Sequence, residues 1–342
     1  MIPHLLNPLG IDKGNSEEIE DGSEQYPYLI KNVDDFVAFR NAISQGETFE
    51  NIWHKLVTDI DLTGVVDFSP VLFVLDGLGD IIDHEVYKGN FEGNFKKIKN
   101  FSVTDGGYGL FYCTAGIIQN LAIEEIKINI TDLGDYYSIG HIGGITAINN
   151  GIIRRCSVDC PVSGGLYCPN TMNLYGGGIA GFNNFGKIED CWTNLMINTK
   201  SGTGIAKNGM YCTIERCLAL GNILANAVAA GISETGAAMT INSVAAMNYV
   251  FGASASRIFY PKQQNYGVNN YALDTIIVNG ATVTSSDTTS GDGKNATISQ
   301  LKSLAFYRDT MGWSIADKNA NIGTETWIID DENDVPKLMG FT

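Results

Sequence analysis

The feature of this sequence that most constrains its fold is an internal repeat. Five segments open with a glycine and an aliphatic residue, continue through a glycine- or asparagine-rich turn, and close on an aliphatic and a small residue. Repeats of this size are typical of solenoids, in which each unit buries its apolar face against its neighbours. The opening pairs are Gly109-Leu110, Gly144-Ile145, Gly178-Ile179, Gly204-Ile205 and Gly231-Ile232, and the closing residues are Leu121, Cys156, Cys191, Cys217 and Val244.

The repeats predict strands rather than helices. Closing residues follow one another at intervals of 35, 35, 26 and 27 residues, and Asn269-Asn270-Tyr271 lies one step further, which predicts a sixth turn. No unit shows the apolar periodicity of an amphipathic helix. With 39 glycines in 342 residues and 18% charged residues, the composition fits short buried strands joined by tight turns. We therefore expect an all-β fold, a single-stranded parallel β-helix (solenoid) with Cys156, Cys191 and Cys217 stacked as an internal column.

The two long repeats each carry about nine more residues than the short ones. This surplus falls on one corner, in roughly 129–141 and 161–175, and insertions in repeat proteins often lie on a binding face. We expect an aromatic and polar patch that binds a glycan or a protein partner; the alternative is packing against its own loop or a neighbouring subunit. The candidate ligand- or partner-binding residues are Asp132, Asp135, Tyr136, Tyr137, Tyr167, Asn170, Asn173 and Tyr175.

Several segments resemble a known family. Gly109-Leu110-Phe111, Gly144-Ile145-Thr146 and Gly178-Ile179-Ala180-Gly181 are similar to the GLUG repeats of bacterial surface β-helix proteins. Residues 55–62 and 91–98 are similar to two segments that precede the repeats in that family. Over about 26–340, the resemblance implies a right-handed parallel β-helix of the pectate-lyase-like solenoid fold, with short helical N- and C-terminal caps, in a family of mostly adhesin-like proteins.

The sequence divides into four regions. We expect an N-terminal anchoring arm at 1–25, an N-terminal cap with a helix at 26–66, the parallel β-helix at 67–280, and an exposed loop and C-terminal cap at 281–342. The first helix is predicted at 33–44, with Asn32 or Asp34 as its N-cap, and a second begins at Thr297 or Ser299. Trp313 and Trp327 are predicted to pack in the C-terminal cap.

The N-terminal arm differs in composition from the rest of the chain. Residues 1–10 are apolar with two prolines, and 12–24 carry a net charge of −5. Such a segment has no core of its own, so we expect a partner to order it, either another structural protein of an assembly or a copy of this chain. The predicted assembly anchor consists of Ile2, Pro3, Leu5, Leu6, Pro8 and Leu9.

Charge and cysteine content exclude several classes of protein. The net charge of −16 argues against nucleic acid as a partner, because phosphate binding needs a basic surface. No apolar run is long enough for a membrane span. Seven cysteines, an odd number without zinc-site spacing, are expected to be structural thiols. We expect no cofactor and no metal site.

Charged residues at the repeat corners could be either catalytic or structural. Arg154 or Arg155 above Glu189 or Asp190 is expected to form ion pairs between turns, and a catalytic carboxylate pair is the alternative. Asp59 and Asp61, and the acidic run 330–334, are expected to serve turns. His141 has no nucleophile at a recognisable spacing, so we expect packing there. No catalytic residue is predicted.

Three functions remain open from the sequence. The first is a non-catalytic structural or attachment protein, a phage-type tail or head appendage on a virion, anchored through its arm; the initial Met and the lack of a signal peptide favour it. The second is a bacterial surface adhesin that binds a cell-surface glycan or a host protein, which the GLUG resemblance favours. The third, by analogy of fold, is a polysaccharide lyase or hydrolase. The first two place the protein on a virion or an extracellular surface.

Overall fold

The computed structural model shows a chain that is mostly β-structure with large parallel sheets, as the repeats predict. It describes residues 20–65, 74–75, 81–83, 86–104, 108–131, 140–160, 164–168, 173–262, 266–320 and 323–341. Two helices, Val33–Ser44 and Ile298–Leu301, and a π-helical turn at Phe306–Thr310 lie outside the repeats. The arm anchor, 2–9, lies outside the described residues.

Parallel strands stack in five columns, which the chain visits in the same order on each passage. Column 1 consists of Val86–Tyr87, Phe111–Thr114, Thr146–Asn149, Ala180–Asn183, the first parts of Ala206–Glu215 and Ser233–Ile241, and Phe259–Tyr260. Column 2 consists of Tyr28–Ile30, Trp53–Leu56, the first parts of Asn90–Lys99 and Ile117–Glu124, Ile152–Arg154, Lys187–Glu189, the last parts of Ala206–Glu215 and Ser233–Ile241, and Gly267–Val268.

The other three columns complete each passage. Column 3 consists of Ile60–Asp61, the last parts of Asn90–Lys99 and Ile117–Glu124, Ser157–Cys160, the first parts of Trp192–Thr199 and Leu218–Ala225, Val244–Ala245, Tyr271–Leu273 and Lys294–Ala296. Column 4 consists of Ser102–Thr104, Lys127–Asn129, Gly165–Tyr167, the last parts of Trp192–Thr199 and Leu218–Ala225, Tyr249–Phe251 and Ile277–Val278. Column 5 consists of Gly140–Gly143, Leu174–Gly177, Ser201–Thr203, Val228–Ala230 and Ser254–Ser256.

The remaining strands pair locally. Val74–Leu75 and Ile81–Asp83 form an antiparallel pair, and Ala281–Thr282 turns back on Ile277–Val278. Ile315–Asp317, Trp327–Ile329 and Lys337–Leu338 form a small separate sheet.

The register confirms the repeat spacing and corrects it at one residue. Ser157 pairs with Trp192 and Trp192 with Leu218, which are the predicted steps of 35 and 26 residues. Leu218 then pairs with Val244, so the residue level with Cys217 is Ser243, not Val244 as predicted. The Cys217 amide donates to the Ser243 hydroxyl at 3.2 Å. Tyr271 pairs with Val244, which confirms the sixth turn.

An aliphatic column fills the interior beside the repeat glycines. The amides of its first four isoleucines each donate to the isoleucine carbonyl of the next rung, for example Ile179 to Ile205 at 2.9 Å. Apolar burial of this kind is the main stabilising term of a solenoid. The members, all with 0% exposure, are Leu110, Ile145, Ile179, Ile205, Ile232 and Ile258.

The repeat glycines are required by close approach between rungs. A Cβ atom on Gly204 would lie 1.9 Å from the Gly231 carbonyl oxygen, and one on Gly178 would lie 2.1 Å from that of Gly204. No side chain larger than hydrogen fits such a spacing without moving the rung. The glycines therefore mark the sharp corner between columns 5 and 1.

A column of buried amides runs parallel to the isoleucines. The Asn149 side chain donates to the Asn183 Oδ1 atom at 2.8 Å, and Asn183 donates to the Asn208 Oδ1 atom at 2.9 Å. The column starts at Thr114, whose hydroxyl donates to Asn149 at 3.2 Å. The Asn149 and Asn183 amides thereby donate to the next rung away from water, which fixes the register of successive rungs, and the column ends at Asn208, whose Nδ2 atom has no partner.

A second corner, between columns 2 and 3, is built from left-handed residues. Each precedes a buried residue, and the Cys191 thiol contacts the thiols of Cys156 and Cys217, which confirms the predicted column. Single left-handed residues bend the chain between two strand segments. The corner residues, with φ between 48° and 55°, are Asn120, Arg155, Asp190, Arg216, Asn242 and Asn269.

The first helix covers the start of the columns. The predicted helix at 33–44 is confirmed as Val33–Ser44, and the Asn32 side chain accepts from the Asp35 amide as its N-cap. Phe39 on its buried face packs with Tyr87, Phe91 and Phe111, at centroid distances of 5.5–6.2 Å. These aromatic contacts hold the helix over the first complete rung.

The C-terminal segment lies along a side of the columns. The Trp313 indole donates to the Asn242 carbonyl at 2.8 Å, and the Trp327 indole donates to the Asp190 Oδ1 atom at 3.0 Å. Phe341 reaches Phe95, 5.6 Å between centroids. The segment after Thr310 therefore runs back across several rungs and covers the outer face of column 3. The second predicted helix does begin at Thr297, which forms a capping box with Gln300.

The predicted loop at 281–296 is exposed only in its first part. Its last residues lie against the final rung, where the Gly291 carbonyl accepts from the Ile258 amide at 2.9 Å. The guanidinium of Arg257, with 0% exposure, donates to the Asp292 and Gly293 carbonyls and to the Asn295 side chain. These hydrogen bonds replace the water that a buried guanidinium loses.

We predict that Asn183→Ala destabilises the fold by about 3 kcal/mol, because it removes hydrogen bonds to Asn149, Asn208 and the Gly186 carbonyl and leaves buried polar atoms unpaired. Chemical denaturation measures this change. The matched control is Asn184→Ala, which removes one exposed hydrogen bond to Asn150 and should cost less than about 1 kcal/mol. Equal losses for the two variants would contradict a stabilising role for the amide column.

Candidate functional site

The structure describes three of the eight residues predicted to bind a ligand or partner. Asp132, Asp135, Tyr136, Tyr137 and Asn170 lie outside the described residues. Tyr167 is 47% exposed and lies on a strand of column 4, level with Asn129 and Asn198. Asn173 and Tyr175 lie at the start of column 5. Tyr167 and Tyr175 are thus strand residues of different columns, whereas the sequence placed both in one corner insertion.

Tyr175 belongs to an aromatic cluster in the bend between columns 5 and 1. Only Gly144 and Ile145 separate strands Gly140–Gly143 and Thr146–Asn149, so outward side chains of the two columns face each other. The His141 ring stacks on Phe182, 5.0 Å between centroids at 15°, and lies 5.4 Å from Tyr175. We call this group, together with Lys207 and Glu234, the bend cluster.

Two charged side chains complete the bend cluster. The Lys207 Nζ atom lies 3.6 Å from the Tyr175 ring centroid and 3.2 Å from the Glu234 Oε1 atom. A cation over a tyrosine face is attracted by the ring quadrupole. Lys200 donates in the same region to the Asn173 side chain. The Lys207 ammonium group therefore has a fixed position between the Tyr175 ring and the Glu234 carboxylate.

Burial controls the charge of His141. Desolvation, and next the positive charge of Lys207, lower the pKa of this imidazole to about 4, so it is neutral at pH 7. Within the described part of the chain, neither His141 Nδ1 nor Glu234 Oε2 has a hydrogen-bond partner, although both are buried. The bend cluster thus combines stacked rings and one fixed cation with two unpaired polar atoms that are buried beside them.

This arrangement is suited to recognition rather than to bond cleavage. Aromatic rings and a cation at fixed spacing are the features that carbohydrate and protein partners contact. A nucleophile activated by His141 would need a Ser, Cys or Thr within hydrogen-bond reach of the ring, and the described neighbours of the imidazole are aromatic rings.

Two members of the bend cluster could be recognised as neighbours from the sequence. His141 and Tyr175 both lie three residues before a repeat glycine, Gly144 and Gly178, so alignment of the repeats brings them together. Lys207 cannot be found in this way, because a register shift between Ala180 and Phe182 places it level with Phe182. The prediction that His141 packs rather than catalyses agrees with the ring contacts.

The corner carboxylates form a structural network, with one change from the expected pairing. Asp190 accepts from Arg216 at 2.8 and 2.9 Å as well as from Trp327, and Glu189 pairs with Lys187 at 2.7 Å. Arg154, predicted to pair with these carboxylates, instead donates to Gln119 of the preceding rung at 2.7 Å. Glu189, the residue level with Arg154, is already paired with Lys187 and with Arg216 of the following rung.

Other groups that could react are engaged or buried. The seven cysteines are free thiols and all are buried, and burial raises the pKa of Cys113 and Cys168 to about 11. Asp61 accepts from Thr63 and Asn100, as predicted for a turn. Among the residues that the structure describes, no group of three His, Cys, Asp or Glu side chains is placed to hold a metal ion.

Comparison with known proteins supports the fold and leaves the family open. No family model matches the chain, and no curated protein matches it. Among solved structures, it is similar to one described as "a putative immunoglobulin A1 protease from Bacteroides ovatus", with 22% identity and a TM-score of 0.57. The match covers 81% of this chain and 84% of the other. At this identity the likeness concerns the fold.

No described helix is long and apolar enough to cross a membrane.

We predict that the protein loses stability as the pH falls from 6.5 towards 4. The pKa values of His54 and His141 are lowered to about 3 and about 4, so the unfolded chain binds more protons in this window. Each histidine should contribute about 2 kcal/mol to the loss between pH 6.5 and 5. Denaturation midpoints at several pH values measure it, and stability above about pH 7.5 should not depend on these groups.

The control for this prediction is His141→Gln, which keeps a polar side chain but cannot be protonated. The variant should show roughly half the pH dependence of the native chain between pH 6.5 and 5. An unchanged pH profile would mean that His141 is accessible to protons in the folded state.

Proposed function

We propose that this protein is a non-catalytic attachment protein whose strands close into a right-handed parallel β-helix related to the GLUG-repeat proteins. The observation that carries the proposal is the bend cluster, an aromatic and cationic group at the bend between two columns of stacked strands. Its rings and its Lys207 ammonium are held by contacts between neighbouring rungs, so they are ordered before a partner arrives. Preorganised rings of this kind suit a glycan or a protein partner.

The engaged state of the reactive groups supports a non-catalytic role. Asp190 and Glu189 are the two carboxylates that could have formed a catalytic pair. They are neutralised by Arg216 and Lys187. A general acid needs a carboxyl with a raised pKa, whereas that of Glu189 is lowered by its two cationic partners despite its burial. The buried thiols offer no accessible nucleophile.

The form of attachment that we favour is a virion appendage. In this form the arm, with its apolar residues and prolines between 2 and 9, anchors the chain to other structural proteins or to copies of itself, and the columns project outwards. The alternative form is a surface adhesin that binds a glycan or host protein. An antibody against residues 140–262 should label purified phage particles in the first case and the bacterial surface in the second.

We predict binding without turnover. The purified protein should be retarded in gels that contain a polysaccharide ligand, while release of reducing ends or unsaturated products stays at background with and without Ca²⁺. Immunoglobulin A1 should also remain intact, a control that the name of the similar structure suggests. Reproducible product release would establish the lyase, hydrolase or protease alternative and overturn the proposal.

We predict that removal of residues 1–19 abolishes assembly without loss of stability. Glu20 is retained in this variant because its carboxylate accepts from the Leu29 amide and pairs with Lys31, both at 2.8 Å. Thermal melting should therefore be unchanged, while light scattering should show loss of self-association and co-sedimentation the loss of particle binding. The matched control, Glu20→Ala in the full chain, should assemble normally. Assembly by the shortened chain would contradict the anchoring role.

A further inference from the structure

A groove runs along the corner between columns 1 and 2, away from the bend cluster. It encloses about 370 Å³, and its floor is formed by the backbone at 115–117 and 151–152. A Cβ atom on Gly116 would lie 2.0 Å from the Gly89 carbonyl oxygen, and one on Gly151 would lie 2.0 Å from that of Gly116. Because no side chain fits at these glycines, the floor remains bare.

The walls of this corner groove are polar and balanced in charge. Lys88 and Glu50 lie on one side with 3.8 Å between their charged atoms, both largely exposed. Asn90 fixes the floor, since its Oδ1 atom accepts from the Ile117 amide at 3.0 Å. A paired acid and base give no net attraction for an anion or a cation, so the groove favours neutral groups that hydrogen-bond.

Two exposed aromatic residues continue the same corner on the next rungs. The Lys187 amide donates to the Gly151 carbonyl at 2.9 Å and the Thr213 amide to the Gly186 carbonyl at 3.3 Å, so the rungs are consecutive. Phe185 directly precedes Gly186 and is 62% exposed; Tyr211, one rung further, is 80% exposed. The corner therefore has a polar groove at one end and two ring platforms at the other.

The backbone at these two rings is unfavourable for aromatic residues. Phe185 and Tyr211 both have φ of 60°, a left-handed conformation that costs about 1–2 kcal/mol and that Gly or Asn adopts more easily. Neither ring recovers this cost by burial. On the other corner this conformation is adopted by Asn residues such as Asn120 and by charged residues such as Arg216, whose side chain is held by hydrogen bonds to Asp190. Strained, exposed residues of this kind are characteristic of functional sites.

We propose that the corner groove and these two rings bind a neutral linear polysaccharide, with Phe185 and Tyr211 stacking on sugar faces and the groove walls bonding to hydroxyl groups. Rungs repeat every ~4.8 Å, a distance comparable to the advance of a pyranose chain per sugar, so each rung can contact one unit. The inference rests on the attachment function and names the class of ligand that it would recognise.

The test uses the full chain and variants that should fold at least as well. Phe185→Asn, Tyr211→Asn and the double variant place a residue that tolerates φ > 0, so melting temperatures should be unchanged or higher. The control is Leu224→Asn, which removes an exposed apolar side chain from column 4. Affinity electrophoresis is run with amylose, β-1,4-glucan, β-1,4-mannan, β-1,3-glucan and dextran, and with polygalacturonate as the anionic chain.

Retardation by at least one neutral chain is expected, with affinity at least tenfold lower in the double variant and unchanged in the control. Three results would overturn the inference: no neutral chain binds, only polygalacturonate binds, or the double variant binds as well as the native chain. A lower melting temperature of the Asn variants would also overturn it, because the rings would then be structural.

The same experiment separates this inference from the attachment proposal. A neutral chain that binds at the rings and is then cleaved would refute a non-catalytic role and support the groove. Binding that is lost in Lys207→Ala and retained in the Phe185/Tyr211 double variant would support the bend cluster and overturn the groove.

Discussion

The interaction on which the rest of this structure depends is the parallel stacking of one rung on the next at backbone distance. Glycines such as Gly178 and Gly204 allow the carbonyl of the following rung to approach within 2.1 Å of where a Cβ would lie. That approach aligns the isoleucines and the buried asparagines into continuous columns. Because hydrogen bonds and apolar contacts run from each rung to the next, the stack is held together without disulfides.

Both candidate surfaces are consequences of this stacking. In the bend cluster, a two-residue corner brings outward side chains of columns 5 and 1 face to face, and His141 stacks on Phe182 as a result. In the corner groove, the requirement for glycine at Gly116 and Gly151 removes the side chains that would fill the floor. A rigid stack thus presents its residues at a fixed repeat, which suits a ligand that is itself a repeating chain.

Much of the fold could be predicted from repeat spacing, since steps of 35 and 26 residues return the chain to the same column. The helix at 33–44 followed from its cap and apolar stripe. The site was harder to predict. Tyr175 could be predicted as a binding residue because insertions in repeats often lie on a binding face. Lys207 could not be predicted, because a one-residue register shift means that alignment of the repeats does not place it beside Phe182. The C-terminal segment was expected to form a cap, and its path along column 3 depends on contacts far apart in sequence.

The sequence by itself determined the spacing of the repeats, the column of stacked thiols and the acidic character of the chain, because these follow from spacing and composition. Only the tertiary structure decided which outward side chains meet. Residues such as His141, Phe182 and Lys207 are separated by dozens of positions and become neighbours through rung register. The strain at Phe185 and Tyr211 is likewise a property of backbone geometry, since aromatic residues in a sequence carry no mark of the φ angle they must adopt.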